Sequence, residues 1–234
     1  MVTFHVISLF PQSFDSYLNE SILKRAREAK KIAFKFYNPR DYTSAAKGKK
    51  NPKYSDFRLD DKPYGGGPGM LLQAEPVAKA IAKAVTAIKK KKKARSKIIF
   101  FAPLGKQLTT EYATQAAQKY TDIILVCGRY EGIDARLHSM FKMEDVSVGP
   151  FVVTGGELPA LLVIDTVARQ IPGVLGSFDS REEARISSPR AYTRPEVIVW
   201  KGKKLRVPKV LLSGNHKLID EWRAQERAQK LRTT

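Results

Sequence analysis

Two short runs of this chain are apolar at almost every position, residues 97–102 (KIIFFA) and residues 122–127 (DIILVC). A strand with one face in water alternates apolar and polar residues, whereas a strand buried on both faces does not. Helical patterns follow each run, at 109–119 and at 135–141. Strands that alternate with helices predict an α/β fold, a parallel sheet with helices on both faces.

The rest of the chain extends this pattern in its first three quarters. We expect further strands at 3–9, 31–37 and 144–148, and helices at 16–30, 73–88 and 157–170. Residues 38–69 are polar, contain several proline and glycine residues, and predict a long loop. We therefore expect a first, α/β domain at 1–175, an interdomain linker at 176–190 and a small basic C-terminal domain at 191–234, with a basic helix from about Lys217.

The charge of the chain is strongly positive. Lys and Arg number 42 and Asp and Glu 23, a net charge of +19. The excess predicts a polyanionic partner, namely nucleic acid, although a lysine-rich proteome is the alternative explanation. Charge alone separates neither RNA from DNA nor an enzyme from a passive binder. The five lysines at 89–93 suggest a solvated connector.

Composition limits the class of protein further. With 43% hydrophobic residues the chain is globular, and no apolar stretch has the length of a membrane span. The N-terminal MVTFHVISLF lacks the basic and cleavage regions of a signal peptide, so we expect a first strand there. The chain has a single cysteine, Cys127, which excludes an internal disulfide and predicts a cytoplasmic protein. We expect Cys127 itself to be a core residue. His5, His138 and His216 are dispersed and lack metal-ligand spacing.

Three glycine-rich segments provide the main functional signal: residues 60–70 (DDKPYGGGPGM), 127–134 (CGRYEGID) and 147–160 (SVGPFVVTGGELPA). Glycine allows a backbone to approach a ligand closely, and the last two segments follow predicted strands. We expect one cleft lined by main chain, suited to an adenosine-containing cofactor. Residues 65–69 match neither a P-loop nor a dinucleotide fingerprint, and are either a flexible loop or a cover over a bound nucleotide.

Three charged residues have two interpretations each. Glu131 lies in a loop at a strand end, where it binds substrate or is merely exposed. Arg169 ends an apolar helix, where a cation is favourable in any case. Asp179 lies in the predicted linker, where most aspartates are solvated. The helix at 157–170 is apolar on almost every side, which predicts burial on more than one face and contact with a second subunit.

Several motifs in a fixed order give the sequence a family resemblance. They are ISLFP, NPRDYT, LDDKPYGGGPGML, LVCGRYEGID, TGGELPA, IPGVLG, YTRPEV and VLLSGNH, and they extend to about Arg223. With them the sequence resembles the bacterial tRNA (guanine-N1)-methyltransferases, which methylate the guanosine 3′ of the anticodon, position 37. The resemblance implies a deep C-terminal trefoil knot of the SPOUT class, a small mainly helical C-terminal domain, a homodimer and a tRNA substrate.

The resemblance also implies S-adenosyl-L-methionine as the cofactor, held in the knot mostly by backbone. Magnesium is implied near Glu131, with no ligand set assigned. The implied cofactor-binding residues are Phe101, Ala102, Pro103, Leu104, Gly128, Tyr130, Glu131, Ser147, Val148, Gly149, Pro150, Phe151, Val152, Val153, Gly155 and Gly156.

The catalytic residues implied by the resemblance are Asp179, Arg169 and Glu131. Asp179 matches the general base that removes the N1 proton of guanine, and Arg169 would stabilise the charge that develops on O6. The chain departs from the family at Pro150 and Phe151 and in the shortened linker around Asp179. Alternatives are therefore a related enzyme for another RNA position, or a non-catalytic RNA-binding or ribosome-assembly protein.

Overall fold

The computed structural model describes residues 1–43, 58–176 and 190–232. The chain forms two compact units, Met1–Leu175 and Gly176–Thr234, each of which is described by itself. Most of the predicted linker, residues 177–189, lies outside the described residues, as do residues 44–57 of the predicted long loop.

The first unit is built on a five-stranded parallel sheet, which confirms the predicted α/β class. The strand order is β2-β1-β6-β5-β7, so consecutive strands are joined by crossovers. A short antiparallel pair, β3 and β4, lies apart from it. The strands are β1 (Val2–Ile7), β2 (Ile32–Tyr37), β3 (Asp60–Asp61), β4 (Leu71–Leu72), β5 (Ser96–Gln107), β6 (Asp122–Val126) and β7 (Met143–Ser147).

Helices cover both faces of this sheet. On β6, Ile123 and Leu125 face one core and Ile124 and Val126 face the other, because successive side chains of a strand point to opposite sides. The first core also contains residues of α1, α2, α4 and α6, and the second contains residues of α3 and α5. The helices are α1 (Asp15–Leu18), α2 (Ser21–Glu28), α3 (Ala74–Lys89), α4 (Thr110–Lys119), α5 (Arg136–Met140) and α6 (Glu157–Ala168).

The predicted helix at 16–30 is wrong as a single element. It is two short helices, α1 and α2, and the chain turns between them, with Ser21 at φ 47°. Leu18 and Leu23 are both buried in the first core, yet a continuous helix would place them roughly 140° apart. The break lets both side chains enter one core, and it leaves Ile22 exposed.

Strand β5 is longer than predicted and irregular at its carboxyl end. Phe101 and Lys106 both pair with Val146 of β7, so residues 102–105 leave the ladder. At Gly105 a Cβ atom would lie 2.6 Å from the backbone carbonyl carbon of Asp145. Real Cβ atoms do not approach backbone so closely, and the return of the strand to β7 therefore requires glycine there.

The described part of the second unit contains a hairpin and two helices. Strands β8 (Val197–Trp200) and β9 (Lys203–Arg206) pair antiparallel and are followed by α7 (Lys209–Leu212) and α8 (His216–Arg232). The rings of Tyr192 and Trp222 lie 6.4 Å apart. Within the described ranges of both units, no helix has the length and apolarity needed to cross a bilayer.

The lysine run at 89–93 was expected to be a solvated connector. This expectation is wrong for Lys91, which folds back onto the sheet. Its Nζ donates to the buried carboxylate of Asp122 and, at 3.2 Å, to Thr3 Oγ1. His5 Nε2 lies 3.0 Å from the same carboxylate. Burial alone would raise the pKa of Asp122, but hydrogen bonds from Lys91, His5 and Thr121 outweigh it and the pKa is lowered.

We expect Lys91→Ser to lower the free energy of unfolding by about 2 kcal/mol, since it leaves a buried carboxylate without its cation. This decrease in stability is smaller than the cost of breaking a fully buried ion pair, because the Lys91 side chain is 35% exposed. Urea unfolding at neutral pH measures it. Lys92→Ser is the matched control, because Lys92 is exposed. Equal stability of the two variants would contradict a structural role for Lys91.

The buried His5 predicts a pH dependence of stability. Burial is the main cause that lowers the pKa of His5 below 6.5. As the pH falls, the unfolded chain therefore binds a proton at His5 before the folded chain does. The stability that depends on a neutral His5 is therefore fully present above about pH 6.5 and is lost as the pH falls toward the folded-state pKa of His5. We expect the unfolding free energy to fall between pH 7.5 and pH 5 by urea titration, and His5→Gln to flatten that dependence. An unchanged slope in His5→Gln would refute this assignment.

Candidate active site

A cavity of ≈ 390 Å³ lies at the carboxyl edge of the parallel sheet. Parallel strands end at the same edge, so the segments after β5, β6 and β7 converge there. Its walls are the irregular end of β5, the loop after β6 and the loop that connects β7 to α6. The predicted cleft lined by several loops is therefore present in the described structure.

Most residues that the sequence assigned to the cofactor line this cavity. Leu104, Gly149 and Pro150 do not, and the Leu104 side chain is fully exposed. The assigned residues that do line it are Phe101, Ala102, Pro103, Gly128, Tyr130, Glu131, Ser147, Val148, Phe151, Val152, Val153, Gly155 and Gly156.

Sequence reasoning missed four lining residues, Phe100, Gly132, Val146 and Pro159. Phe100 packs against Gly128, where a Cβ atom would lie 3.0 Å from its ring. The strand pattern held a signal for it, since Phe100 lies near the carboxyl end of an apolar run, at the edge of the sheet where ligands bind. Nothing in the residue types distinguished Val146 from other core valines.

The two loops that follow β6 and β7 meet backbone to backbone. Gly156 N donates to Gly128 O at 2.9 Å, and Arg129 pairs with Gly155 as an isolated bridge. A Cβ atom on Gly156 would lie 2.5 Å from the Cα of Cys127. The approach therefore requires glycine at 156.

The glycine segment at 65–69 lies beside the cavity wall. Glu131 N donates to Met70 O at 3.1 Å, and a Cβ atom on Gly69 would lie 2.5 Å from Glu131 Cγ. Residues 65–69 themselves do not line the cavity. The segment thus contacts the wall that carries Glu131, and both interpretations of it, loop and cover, remain predictions.

A buried carboxylate links the first turn of α6 to two other strand ends. Ser8 Oγ, after β1, donates to Glu157 Oε1 at 2.7 Å. Arg129 Nη2, after β6, lies 3.0 Å from Glu157 Oε2, as an ion pair outside hydrogen-bond geometry. The guanidinium of Arg129 also stacks 4.6 Å from the centroid of the Phe10 ring. Glu157 therefore fixes the start of α6 against β1 and β6.

Glu131 and Arg169, two of the three predicted catalytic residues, lie at different places in the described structure. Glu131 lines the cavity. Arg169 is the C-cap of α6, and since α6 starts at the cavity, Arg169 lies roughly 20 Å farther along the helix axis from Gly156. Asp179 lies outside the described residues.

Two further assignments concern metals and nucleophiles. Over residues 1–43, 58–176 and 190–232, no three His, Cys, Asp or Glu side chains come together as a metal site. Glu131 lines the cavity as a single carboxylate, and the magnesium ion implied near it stays a prediction. Cys127 is a buried core residue, as predicted, and burial raises the pKa of its thiol well above the usual value.

Several known proteins similar to this chain are described as tRNA guanine-N1 methyltransferases. The family model for tRNA (Guanine-1)-methyltransferase TrmD matches residues 2–234. The tRNA (guanine-N(1)-)-methyltransferase of Dechloromonas aromatica (strain RCB) is 42% identical over 231 residues, 97% of this chain and 85% of the relative. That of Clostridioides difficile (strain 630) is 41% identical over 227 residues, 95% of this chain and 91% of the relative.

A solved structure agrees with these relatives. The crystal structure of tRNA (m1G37) methyltransferase from Aquifex aeolicus matches with a TM-score of 0.75 and 32% identity, over 98% of this chain and 91% of that chain. By the family model, by sequence identity over nearly its whole length and by fold, the chain belongs to the tRNA (guanine-1)-methyltransferase family, TrmD.

Proposed function

We propose that this protein transfers a methyl group from S-adenosyl-L-methionine to N1 of the guanosine at position 37 of tRNA, 3′ of the anticodon. The observation that carries the proposal is the glycine-lined cavity at the carboxyl edge of the sheet, in a chain that belongs to the TrmD family. No finding favours the non-catalytic alternative. We infer a cytoplasmic location, since a tRNA substrate is found there and the lone Cys127 is a free thiol.

The residues of the cavity fit the cofactor. Its volume, ≈ 390 Å³, falls among those of small-molecule sites. Gly128, Gly155 and Gly156 present bare backbone, as a flat nucleoside needs, and Phe100 and Val146 supply apolar surface. When bound, S-adenosyl-L-methionine supplies a sulfonium methyl group that is already electrophilic. The protein therefore has only to orient its substrates and to manage a proton.

The proton is the main chemical obstacle, because guanine N1 is protonated at neutral pH and is a poor nucleophile. A carboxylate must remove it, and we assign Asp179 as this general base on the strength of the resemblance. Charge then develops on guanine O6, where a guanidinium stabilises it, and we assign Arg169 to that role. Glu131, in the cavity wall, is the acidic group available to orient substrate.

A homodimer reconciles these roles with the geometry of α6. Arg169 lies about 20 Å along the helix from the cavity of its own chain. On the same helix Leu158 and Leu162, one turn apart, are 60% and 43% exposed. A two-fold pairing through this apolar face, with the helices antiparallel, brings the C-terminal end of each α6 toward the cavity of the partner. We therefore propose that each active site is completed across the subunit boundary.

The trefoil knot belongs to the same proposal. Its support is the resemblance and the similarity to the Aquifex aeolicus enzyme. Magnesium remains a prediction of the resemblance and has no step here.

Titration calorimetry should show that the protein binds S-adenosyl-L-methionine with roughly micromolar affinity, about 8 kcal/mol. Gly156→Ala should weaken binding at least about tenfold, because its Cβ atom displaces the backbone that forms the wall. Gly176→Ala is the matched control, since nothing lies within 4 Å of its Cβ position. A thermal melt checks that both variants fold. No binding by wild type at millimolar ligand would refute the enzyme assignment.

Asp179→Asn should lower the turnover number for tRNA methylation about a hundredfold or more, because a positioned base contributes that much. Cofactor affinity should stay the same, since the base contacts only the guanine. Radiolabelled methyl transfer to a tRNA transcript with G or A at position 37 measures the reaction. Glu182→Gln and Glu183→Gln are the controls, and a loss confined to one of them would transfer the role of base to that residue.

Mixing the Asp179→Asn and Gly156→Ala proteins tests where the base acts. If it serves the partner, random exchange of subunits restores roughly a quarter of wild-type activity, because half of the dimers then contain one intact site. Activity no higher than the sum of the separate variants, with exchange verified by mass, would place the base within its own subunit.

A further inference from the structure

The hairpin of β8 and β9 separates its side chains into two faces. Trp200 pairs with Lys203 and Ile198 pairs with Leu205. Residues directly opposite, and residues two apart on one strand, point to the same side of a sheet. Trp200, Ile198, Leu205 and Lys203 therefore share one face, which we name the tryptophan face.

The tryptophan face is solvent-exposed. Trp200 is 67% exposed, Ile198 52% and Leu205 50%. A two-stranded hairpin is marginally stable in water, and contiguous exposed apolar side chains mark binding sites. The face therefore has the properties of a binding surface.

The charges around this face indicate the class of partner. Residues 197–219 include six basic residues and no acidic one. Lys201 and Gly202 form the two-residue turn with φ of 47° and 77°, a geometry that favours Asn-Gly or Gly-Gly. A lysine thus occupies the hairpin tip although its backbone conformation disfavours it. A cation at that point, beside an exposed indole, suits a partner that is both anionic and aromatic.

We propose that the tryptophan face binds an unpaired base of the tRNA substrate, with the Trp200 ring stacked on the base and Lys201 and Lys203 beside the flanking phosphates. The proposal rests on the proposed function, which supplies the RNA. An unpaired nucleotide combines a π-face with a phosphate, whereas a paired duplex conceals its base faces. A second copy of the chain is disfavoured at this face, because pairing through it would bring two copies of the acid-free basic stretch 197–219 together.

The fluorescence of Trp200 reports this contact directly. The chain has two tryptophans, so Trp222→Phe leaves Trp200 as the single one and keeps an aromatic ring beside Tyr192. We titrate this variant with a stem-loop RNA of the anticodon arm and with a fully paired duplex that has the same number of phosphates. Stacking predicts quenching that saturates with the stem-loop and little quenching with the duplex.

Substitutions on the two faces separate stacking from charge. Trp200→Ala should weaken tRNA binding roughly tenfold at every salt concentration, since base stacking does not depend on counterion release, and Trp200→Phe should restore most of the loss. Val199→Ala is the matched control on the opposite face and should bind like wild type. The double variant Lys201→Ser and Lys203→Ser should instead flatten the slope of affinity against salt.

Several results would overturn the inference. One is equal quenching of Trp200 by the duplex and the stem-loop, and another is unchanged tRNA affinity of Trp200→Ala. The others are quenching by anionic lipid vesicles but not by RNA, and an emission change that follows protein concentration in the absence of RNA. Methyl transfer by wild type is measured in parallel. Normal methylation with any of these results removes the stacking contact and leaves the proposed function intact, whereas absent methylation with loop-specific quenching removes the function and leaves an RNA-binding hairpin.

Discussion

The close backbone approach between Gly156 and the end of β6 is the constraint on which the candidate site depends. The Gly156 N to Gly128 O hydrogen bond of 2.9 Å leaves no room for a side chain at 156. Helix α6 consequently begins directly against the sheet edge. The gap that remains between the end of β5 and the loops after β6 and β7 is the cavity. Its backbone-rich lining follows from this contact.

The next residue, Glu157, converts that contact into a fixed direction for α6. A buried carboxylate is costly unless it is paired and hydrogen-bonded, and Ser8 and Arg129 meet both conditions from the ends of β1 and β6. Loss of either partner would leave charge buried and release the helix start. Because α6 is held at this end, its axis carries Arg169 away from its own cavity. The distant catalytic candidate and the exposed leucines therefore have one cause, and the proposed second subunit would account for both.

Sequence patterns predicted those parts of the structure that depend on short-range order. Apolar runs gave the strands. The helix expected at 109–119 begins after Thr109, whose side chain accepts a hydrogen bond from Tyr112 N. Contacts between residues that are far apart in the sequence could not be predicted from such local patterns. The break before Ser21 and the ion pair of Lys91 with Asp122 both depend on a partner far along the chain. The cavity residues came chiefly from the family resemblance, and Phe100 and Pro159 were missed because their role depends on where neighbouring strands end.

The charge of the chain is also less uniform than its total suggests. The second unit has fourteen basic and seven acidic residues, and six of the basic ones lie in the acid-free stretch 197–219. In the first unit Lys91 neutralises a core carboxylate and so contributes nothing to a polyanion-binding surface. Total charge sets a general attraction that salt weakens, whereas a stacking tryptophan adds affinity that salt does not remove. A substrate held in both ways keeps its register on the protein under ionic conditions that would dissociate a purely electrostatic complex.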